Sequence, residues 1–162
     1  MVDANRRRFL RAVATREGAA APRRPPWALR PDDVFSERCT RCGDCLRACP
    51  RQVLHAGDGG FPAIAFDRAG CSLCGDCARA CKPRAIDRAA RAQAFEWRVR
   101  VDDRCLARRG VECRVCGDAC DARALRFAAE IGKVAQLRIA AERCTGCGEC
   151  LPVCPTGALD VV

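Results

Sequence analysis

The sequence predicts an α+β protein of two tandem, similar modules behind a flexible basic N-terminal arm. Three observations predict this organisation. The 16 Cys of the 162-residue chain fall into four sets of four, short strand-like segments separate the sets, and the first 31 residues carry eight Arg against two acidic residues. We therefore place the arm at residues 1–33, the first module at residues 34–95 and the second module at residues 96–162.

The first set of Cys has the spacing CxxCxxCxxxC and is followed by Pro50. It consists of Cys39, Cys42, Cys45 and Cys49. Three thiolates spaced this way on one tight loop can bind three corners of a [4Fe–4S] cluster, and the fourth Cys of such a run ligates the other cluster of a pair. The spacing therefore predicts bacterial-ferredoxin-like modules that hold two clusters each.

The same spacing recurs in two further sets, and the remaining set differs only in having seven residues between its first two Cys. These sets are Cys71, Cys74, Cys77 and Cys81, then Cys105, Cys113, Cys116 and Cys120, then Cys144, Cys147, Cys150 and Cys154. All 16 Cys are candidate metal ligands, and the expected cofactors are four [4Fe–4S] clusters. The longer loop, residues 106–112, predicts an atypical potential or greater lability for its cluster.

Other uses of the Cys fit less well. A disulfide framework requires an oxidising compartment, and structural zinc prefers CxxC pairs separated by a longer gap. A [3Fe–4S] cluster at one site remains an alternative. Because a unit of this size buries little apolar surface, we expect the chain without metal to be poorly folded.

Two arrangements satisfy the rule that the fourth Cys serves the partner cluster. In the nested arrangement the first set pairs with the fourth and the second with the third. In the consecutive arrangement neighbouring sets pair, which keeps contacts local and is preferred. It predicts the ligand groups Cys39/Cys42/Cys45/Cys81, Cys71/Cys74/Cys77/Cys49, Cys105/Cys113/Cys116/Cys154 and Cys144/Cys147/Cys150/Cys120.

The formal net charge of +9 does not by itself indicate a nucleic-acid partner. Four clusters with thiolate ligands carry about −2 each, which would bring the loaded protein close to neutrality. No array of base-stacking aromatic residues is present, so no nucleic-acid partner is expected. No stretch approaches the ~20 apolar residues of a membrane span, so stable membrane insertion is not expected either.

The N-terminal arm is similar to a twin-arginine export signal around Arg6 and Arg7. The apolar segment that should follow is interrupted by Arg16 and Glu17, so a retained arm with a short helix from about residue 5 to 16 is favoured over export to the periplasm. The Pro-rich residues 19–31 are expected to be extended. Their Trp27 either packs as a lid on the first module or contacts a partner.

Within each module we expect a short helical turn near the fourth Cys of a set, then a hairpin that leads to the next set. Residues 56–60 predict a turn, and alanine-rich residues 84–95 predict a helical connector. Strands are predicted at residues 61–67, 96–101, 134–139 and 158–162.

The sequence offers no constellation for catalysis, so the protein is not expected to be an enzyme. The single His, His55, lies in a predicted hairpin, and neither a nucleophile–base pair nor a phosphate-binding glycine loop stands out. Acidic residues lie near the third Cys of every set, where they either contact a partner or reflect the ancestry of the repeat. They are Asp44, Asp76, Asp118 and Glu149.

The chain resembles the NapF-type ferredoxins, which are four-cluster accessory proteins of periplasmic nitrate reductase systems. The resemblance rests on the irregular set beginning at Cys105, the three regular sets, the Arg-rich start at residues 3–7 and the segment Arg24-Pro25-Pro26-Trp27. It implies a cytoplasmic protein that binds the precursor of the catalytic subunit of the reductase and assists its maturation, including insertion of a [4Fe–4S] cluster before export.

Two classes of function therefore remain open. In the first, the protein is a maturation factor whose arm and Trp27 meet a client protein. In the second, it is a multi-cluster ferredoxin that transfers electrons in a respiratory nitrate reduction chain. The family resemblance favours maturation.

Overall fold

Short helices and strands joined by the Cys loops form the protein, whose computed structural model describes residues 23–162. The helices are α1 (Asp32–Arg38), α2 (Asp44–Arg47), α3 (Asp76–Ala80) and α4 (Val115–Asp118). The strands are β1 (Leu54–Ala56), β2 (Pro62–Ile64), β3 (Val99–Val101), β4 (Leu125–Glu130), β5 (Lys133–Ile139) and β6 (Leu159–Val161). Within this range no helix combines the length and apolar character needed to cross a membrane.

The strands repeat one plan in both modules. An antiparallel hairpin joins consecutive Cys sets, with β1 paired to β2 in the first module and β4 to β5 in the second. A second pairing joins the start of a module to its end, since β3 pairs with β6 and an isolated bridge links Ala28 to Ile86. The two-module α+β organisation predicted from the repeats is therefore present in residues 23–162.

Helices α2 and α3 begin two residues after the second Cys of a regular set. Their N-caps, Gly43 and Gly75, have φ values of 75° and 82°, a left-handed conformation that glycine adopts without a Cβ penalty. In the irregular third set Arg114 precedes α4 with φ −130°, so this loop enters its helix differently. These three helices place the third Cys of the first three sets in their first turn, whereas Cys150 of the fourth set lies in a turn.

Residues 24–29 pack in the core of the first module, so the prediction that they belong to a flexible arm is wrong. Pro25 and Pro26 are fully buried and Trp27 is 4% exposed. Trp27 donates its backbone N–H to Ala94 O and accepts from Asp87 N, both at 2.9 Å. The rest of the predicted arm, including the expected helix at residues 5–16, lies outside the described residues.

The Pro26-Trp27 pair forms a turn instead of continuing an extended chain. The N–H of Ala28 donates to Pro25 O at 3.2 Å, and Trp27 has a φ of 58°. Proline suits the first central position of such a turn, whereas the second usually holds glycine. Burial of the indole, over which the Arg88 guanidinium lies at 5.1 Å from the ring centroid, compensates for this conformation. Trp27 therefore packs as a lid and is not accessible to a partner.

All four predicted strands are confirmed, although three of them are shorter than expected. The predicted helix at residues 84–95 is wrong. Asp87 Oδ1 accepts the N–H groups of Ala89 and Ala90, which forms a local turn, and Ile86 must remain extended to bridge Ala28. Helix α1 was not predicted; it follows Pro31 and carries Asp32 and Asp33 in its first turn.

Aromatic side chains join the two modules. Phe95 and Trp97 stack with ring centroids 4.7 Å apart, and Phe66 of the first module meets both rings edge-on at 6.3 and 6.4 Å. Trp97 donates its indole N–H to Gly146 O at 2.8 Å. Arg23 adds an ion pair to Asp160 of β6. The modules therefore share a packed interface that includes the start of the fourth Cys set.

Arg24 is the buried charge of the first module. Its guanidinium forms two hydrogen bonds to the Asp32 carboxylate, at 2.6 and 2.7 Å, and lies over the ring of Phe35. The hydrogen bond from Arg24 is the main cause of the lowered pKa of Asp32. This pair fixes the Pro-rich segment against the N-terminus of α1.

Replacing Asp32 by alanine is expected to lower the free energy of unfolding by about 1.5–3 kcal/mol, because a buried guanidinium loses its charged partner. Anaerobic urea unfolding of the loaded protein measures the change. Asp33→Ala is the matched control, since Asp33 caps only the backbone N–H of Val34. Equal effects of the two substitutions would contradict a special role for the Arg24–Asp32 pair.

Candidate iron–sulfur cluster sites

Each of four cavities is lined by four Cys, three from one set and one from its neighbour. The space free of protein atoms at each cavity, including its opening to solvent, is about 310 to 350 Å³. Site I comprises Cys39, Cys42, Cys45 and Cys81; site II, Cys49, Cys71, Cys74 and Cys77; site III, Cys105, Cys113, Cys116 and Cys154; site IV, Cys120, Cys144, Cys147 and Cys150. This is the consecutive arrangement, and the nested one does not occur.

The hairpins explain why neighbouring sets meet. In the first module, β1 follows Cys49 and β2 precedes Cys71, so the hairpin returns the chain to the loop that it left. In the second module, β4 and β5 do the same between Cys120 and Cys144. The fourth Cys at the end of one loop therefore lies within reach of the next loop.

The geometry of the thiols fits clusters better than single ions. All 16 Cys are free thiols, which differs from a disulfide framework. Within residues 23–162, no three Cys, His, Asp or Glu side chains converge closely enough to hold one metal ion. Zinc requires four sulfurs at about 2.3 Å from a single point. Thiols that surround a cavity instead suit a [4Fe–4S] cluster, which presents a separate iron to each sulfur.

The third Cys of every set is the one that burial perturbs most clearly. Desolvation raises the pKa of Cys45 and Cys116 to about 11 and that of Cys77 and Cys150 to about 12. Burial also raises the pKa of Cys71 to about 11, with a smaller contribution from the nearby Cys147 thiol. These thiols are protonated at neutral pH before a cluster binds.

Backbone N–H groups point at the fourth Cys of three sets. The third residue after each fourth Cys is left-handed, with φ between 50° and 57°, which turns the following N–H groups back toward the sulfur. The observed bonds run from Ile86 to Cys81 at 3.4 Å, from Ala124 to Cys120 at 3.3 Å and from Ala158 to Cys154 at 3.3 Å. Such bonds stabilise thiolate charge and tune a bound metal.

Cys154 in site III has an additional partner, the Thr156 hydroxyl, at 3.6 Å. Burial acts to raise the pKa of Cys154, but the hydrogen bonds from Thr156 and from backbone N–H groups outweigh it and lower that pKa. Sequence reasoning missed Thr156. Its position two residues after the fourth Cys, where the other sets have Arg51, Pro83 and Ala122, was the available indication.

The long loop of the third set is anchored on the second module. Ala107 is completely buried, its carbonyl accepts from the Gln136 amide at 3.3 Å, and Arg108 donates to Val101 O at 3.1 Å. Together with the extra bond to Cys154, this gives site III surroundings unlike those of the other sites. An atypical potential or lability for this site stays a prediction.

The solvent exposure of the Cys differs between the modules. Cys42 of site I and Cys74 of site II are exposed, whereas every Cys of the second module is buried or half-buried. Aromatic residues cover the inner side of the first two cavities, with Phe35 at site I and Trp27 at site II. Each site of the first module therefore has one Cys that is exposed to solvent.

His55 lies on β1, is exposed, and lines an open cavity separate from the Cys sites. Arg51, Asp67 and Arg68 line the same cavity.

The acidic residues near the third Cys behave differently from one another. Asp44 pairs with Arg47 and Asp76 with Arg79 on their own helices, whereas Glu149 pairs with Arg51 of the other module.

Two segments of the chain, residues 38–85 and 109–158, match the 4Fe-4S dicluster domain family. The ferredoxin-type protein NapF of Haemophilus influenzae is 43% identical over 138 residues, which cover 85% of this chain and 77% of that protein. NapF of Escherichia coli is 35% identical over 158 residues, covering 98% and 94%. The ferredoxin-type protein NapG of H. influenzae is 32% identical over 159 residues, covering 86% and 56%.

The two matched segments contain 15 of the 16 Cys that line the four sites, with only Cys105 lying just before the second segment, so the fold and the sites define a 4Fe–4S ferredoxin-type protein. Within that class, the chain belongs to the NapF-type ferredoxins.

Replacing Cys81 by serine is expected to disturb the cluster at site I, because Cys81 lines that cavity with Cys39. Iron analysis and electron paramagnetic resonance (EPR) of the reduced protein measure the effect. Cys49→Ser is the matched control and should disturb site II instead. A loss confined to the second module after Cys81→Ser would contradict the grouping.

Cluster loading is expected to weaken as the pH falls. Metal binding requires thiolates, and the buried Cys with a raised pKa must release protons first. The same shift stabilises the metal-free fold below the ordinary thiol pKa of 9.0, and this stabilisation is lost as the pH rises toward about 12. Anaerobic reconstitution should therefore give fewer clusters at about pH 6.5 than at about pH 8.5. A yield of clusters that does not depend on pH, with no proton release in unbuffered solution, would contradict the prediction that the thiols must lose protons before clusters bind.

Proposed function

We propose that the protein is an iron–sulfur accessory protein that assists maturation of the catalytic subunit of periplasmic nitrate reductase. All 16 Cys act as ligands of four [4Fe–4S] clusters, grouped as sites I to IV. The partner is the precursor of that subunit, and the step assisted is the insertion of its [4Fe–4S] cluster in the cytoplasm before export. This role follows the family resemblance and includes no catalytic reaction of the protein's own.

The observation that best supports cluster donation is the exposure of Cys42 and Cys74. A cluster moves between proteins by ligand exchange, in which a client thiolate replaces a donor thiolate at an iron. This exchange requires a ligand that the client can reach, because a buried thiolate is shielded by packing. Sites I and II each have one such ligand, so donation is assigned to the first module and retention to the second.

The surroundings of the exposed Cys also suit protein contact. Arg47 hydrogen-bonds the backbone carbonyl of Cys42 at 3.2 Å and Arg79 does the same to Cys74 at 3.2 Å. Both Arg side chains are about 70% exposed and paired to an Asp on the same helix. A client with acidic residues around its cluster loop would be attracted to these guanidinium groups.

Electron transfer in a nitrate reduction chain is the second candidate function. This function is favoured by the arrangement of the Cys, because each site takes one Cys from the set that forms the other site of the module. The two sites of a module therefore lie next to one another. Neighbouring clusters can exchange electrons without losing iron. The two functions therefore differ in whether the clusters stay in the protein.

Loaded protein labelled with ⁵⁷Fe is expected to transfer one cluster to the metal-free precursor of the catalytic subunit under anaerobic conditions. Repurification followed by Mössbauer spectroscopy should show labelled [4Fe–4S] on the precursor and a matching loss from the donor. A precursor whose cluster-binding Cys are replaced by serine is the control, because it can bind the donor but not accept iron.

Retention of all four clusters by the donor, through repeated reduction and reoxidation in the presence of the precursor, would instead support electron transfer and overturn the maturation role. Equal labelling of the control precursor would indicate release of free iron and would also count against donation.

A further inference from the structure

Glu149 has lost the local partner that its counterparts have. Asp44, Asp76 and Glu149 each precede the third Cys of a regular set. Asp44 and Asp76 pair with an Arg three residues later, but the residue three positions after Glu149 is Pro152. The longer Glu side chain, with no Arg on its own loop, is free to reach another part of the protein.

The Glu149 carboxylate holds the first module. Its Oε2 accepts the backbone N–H of Gly70 at 2.5 Å, and its Oε1 pairs with the guanidinium of Arg51. Arg51 also donates to Gly70 O at 3.3 Å, so both sides of the Gly70 peptide are engaged. Charge-assisted hydrogen bonds of this kind are about twice as strong as neutral ones.

Gly70 is required at this contact because the two backbones touch. A Cβ built on Gly70 would overlap the backbone N and Cα of Glu149. Gly148, the neighbour of Glu149, is packed just as closely against the ring of Phe66. The contact is therefore a close fit of one loop on another, with no room for a side chain on either glycine.

The residues that follow are cluster ligands. The backbone N–H of Cys71 in site II donates to the carbonyl of Cys147 in site IV at 2.7 Å. A direct hydrogen bond thus joins a ligand residue of one module to a ligand residue of the other. Since site I adjoins site II and site III adjoins site IV by sharing of the fourth Cys, the four sites run in the order I, II, IV, III.

We propose that Glu149 is a positioning residue that clasps the two modules together at the junction of sites II and IV, so that the four sites act as one electrostatically coupled unit. This goes beyond cluster donation or electron transfer to a partner. It rests on the ligand sets proposed above, but not on the identity of the client.

The coupling has a defined redox consequence. Dithionite supplies one electron to each oxidised [4Fe–4S]²⁺ cluster and reduces it to the 1+ state, while the dithionite is oxidised and no bond in the protein forms or breaks. The added negative charge at site II disfavours reduction of site IV, and this repulsion depends on their separation. Loosening the junction therefore reduces the spread of potentials and the magnetic interaction between the modules.

The test compares Glu149→Ala and Gly70→Ala with Asp76→Ala in the loaded protein. Asp76→Ala is the matched control, since it removes a carboxylate from the same position of a neighbouring set but breaks only the local pair with Arg79. Iron analysis first confirms equal loading of all variants. Hydrogen exchange of the peptide spanning residues 66–73, and EPR of the fully reduced protein, then report on the junction.

Glu149→Ala is expected to accelerate exchange at Gly70 and Cys71 roughly tenfold and to weaken the spin–spin interaction, because the charged acceptor is lost. Gly70→Ala should act in the same direction through steric overlap. If Gly70→Ala does not load clusters, Glu149→Gln takes its place as the second variant and should give a smaller change than Glu149→Ala. Asp76→Ala should match the unmodified protein in both measurements. Exchange and EPR unchanged by Glu149→Ala, or changed equally by Asp76→Ala, would overturn the proposal.

Discussion

The structure depends on one constraint, which is that no Cys set can complete a site alone. Each cavity is lined by three Cys of one loop, and the fourth Cys comes from the neighbouring set. The two loops of a module must therefore face one another. The hairpins between the sets meet that requirement, because each returns the chain from one loop to the next.

The same constraint organises the hydrophobic core. The described residues contain few large apolar side chains, and several of them pack around the Cys as well as against each other, as Phe35 does at site I and Trp27 at site II. Apolar walls exclude water from the cavities and raise the pKa of the buried thiols. Thiolate charge then becomes favourable only when metal is present, which ties folding to cluster binding.

The sequence was sufficient for features that depend on local spacing. The Cys sets, their consecutive grouping and the strands leading to each set could be predicted, since ligand spacing and alternation of apolar residues are local. Features that depend on distant contacts could not. Residues 84–95 have helix-forming composition, but the bridge to Ala28 keeps Ile86 extended and Asp87 forms a turn directly after it. Trp27 gave no local indication that it closes site II.

Glu149 illustrates the limit most clearly. From the sequence it is one of several acidic residues near a Cys, and only its missing Arg partner distinguishes it. Its role becomes visible when the fold brings Gly70 and Arg51 beside it. An acidic position shared by the three regular sets can therefore have a different role in one of them.

The sharing of the fourth Cys also has a consequence for the nascent chain on the ribosome. Site II gains the last of its four Cys at Cys77 and site I at Cys81, and sites IV and III are likewise completed at Cys150 and Cys154. The two sites of a module thus become complete within four residues of each other along the chain. A nascent module in which one cavity has all four of its Cys and the other does not therefore exists only for the time needed to add four residues.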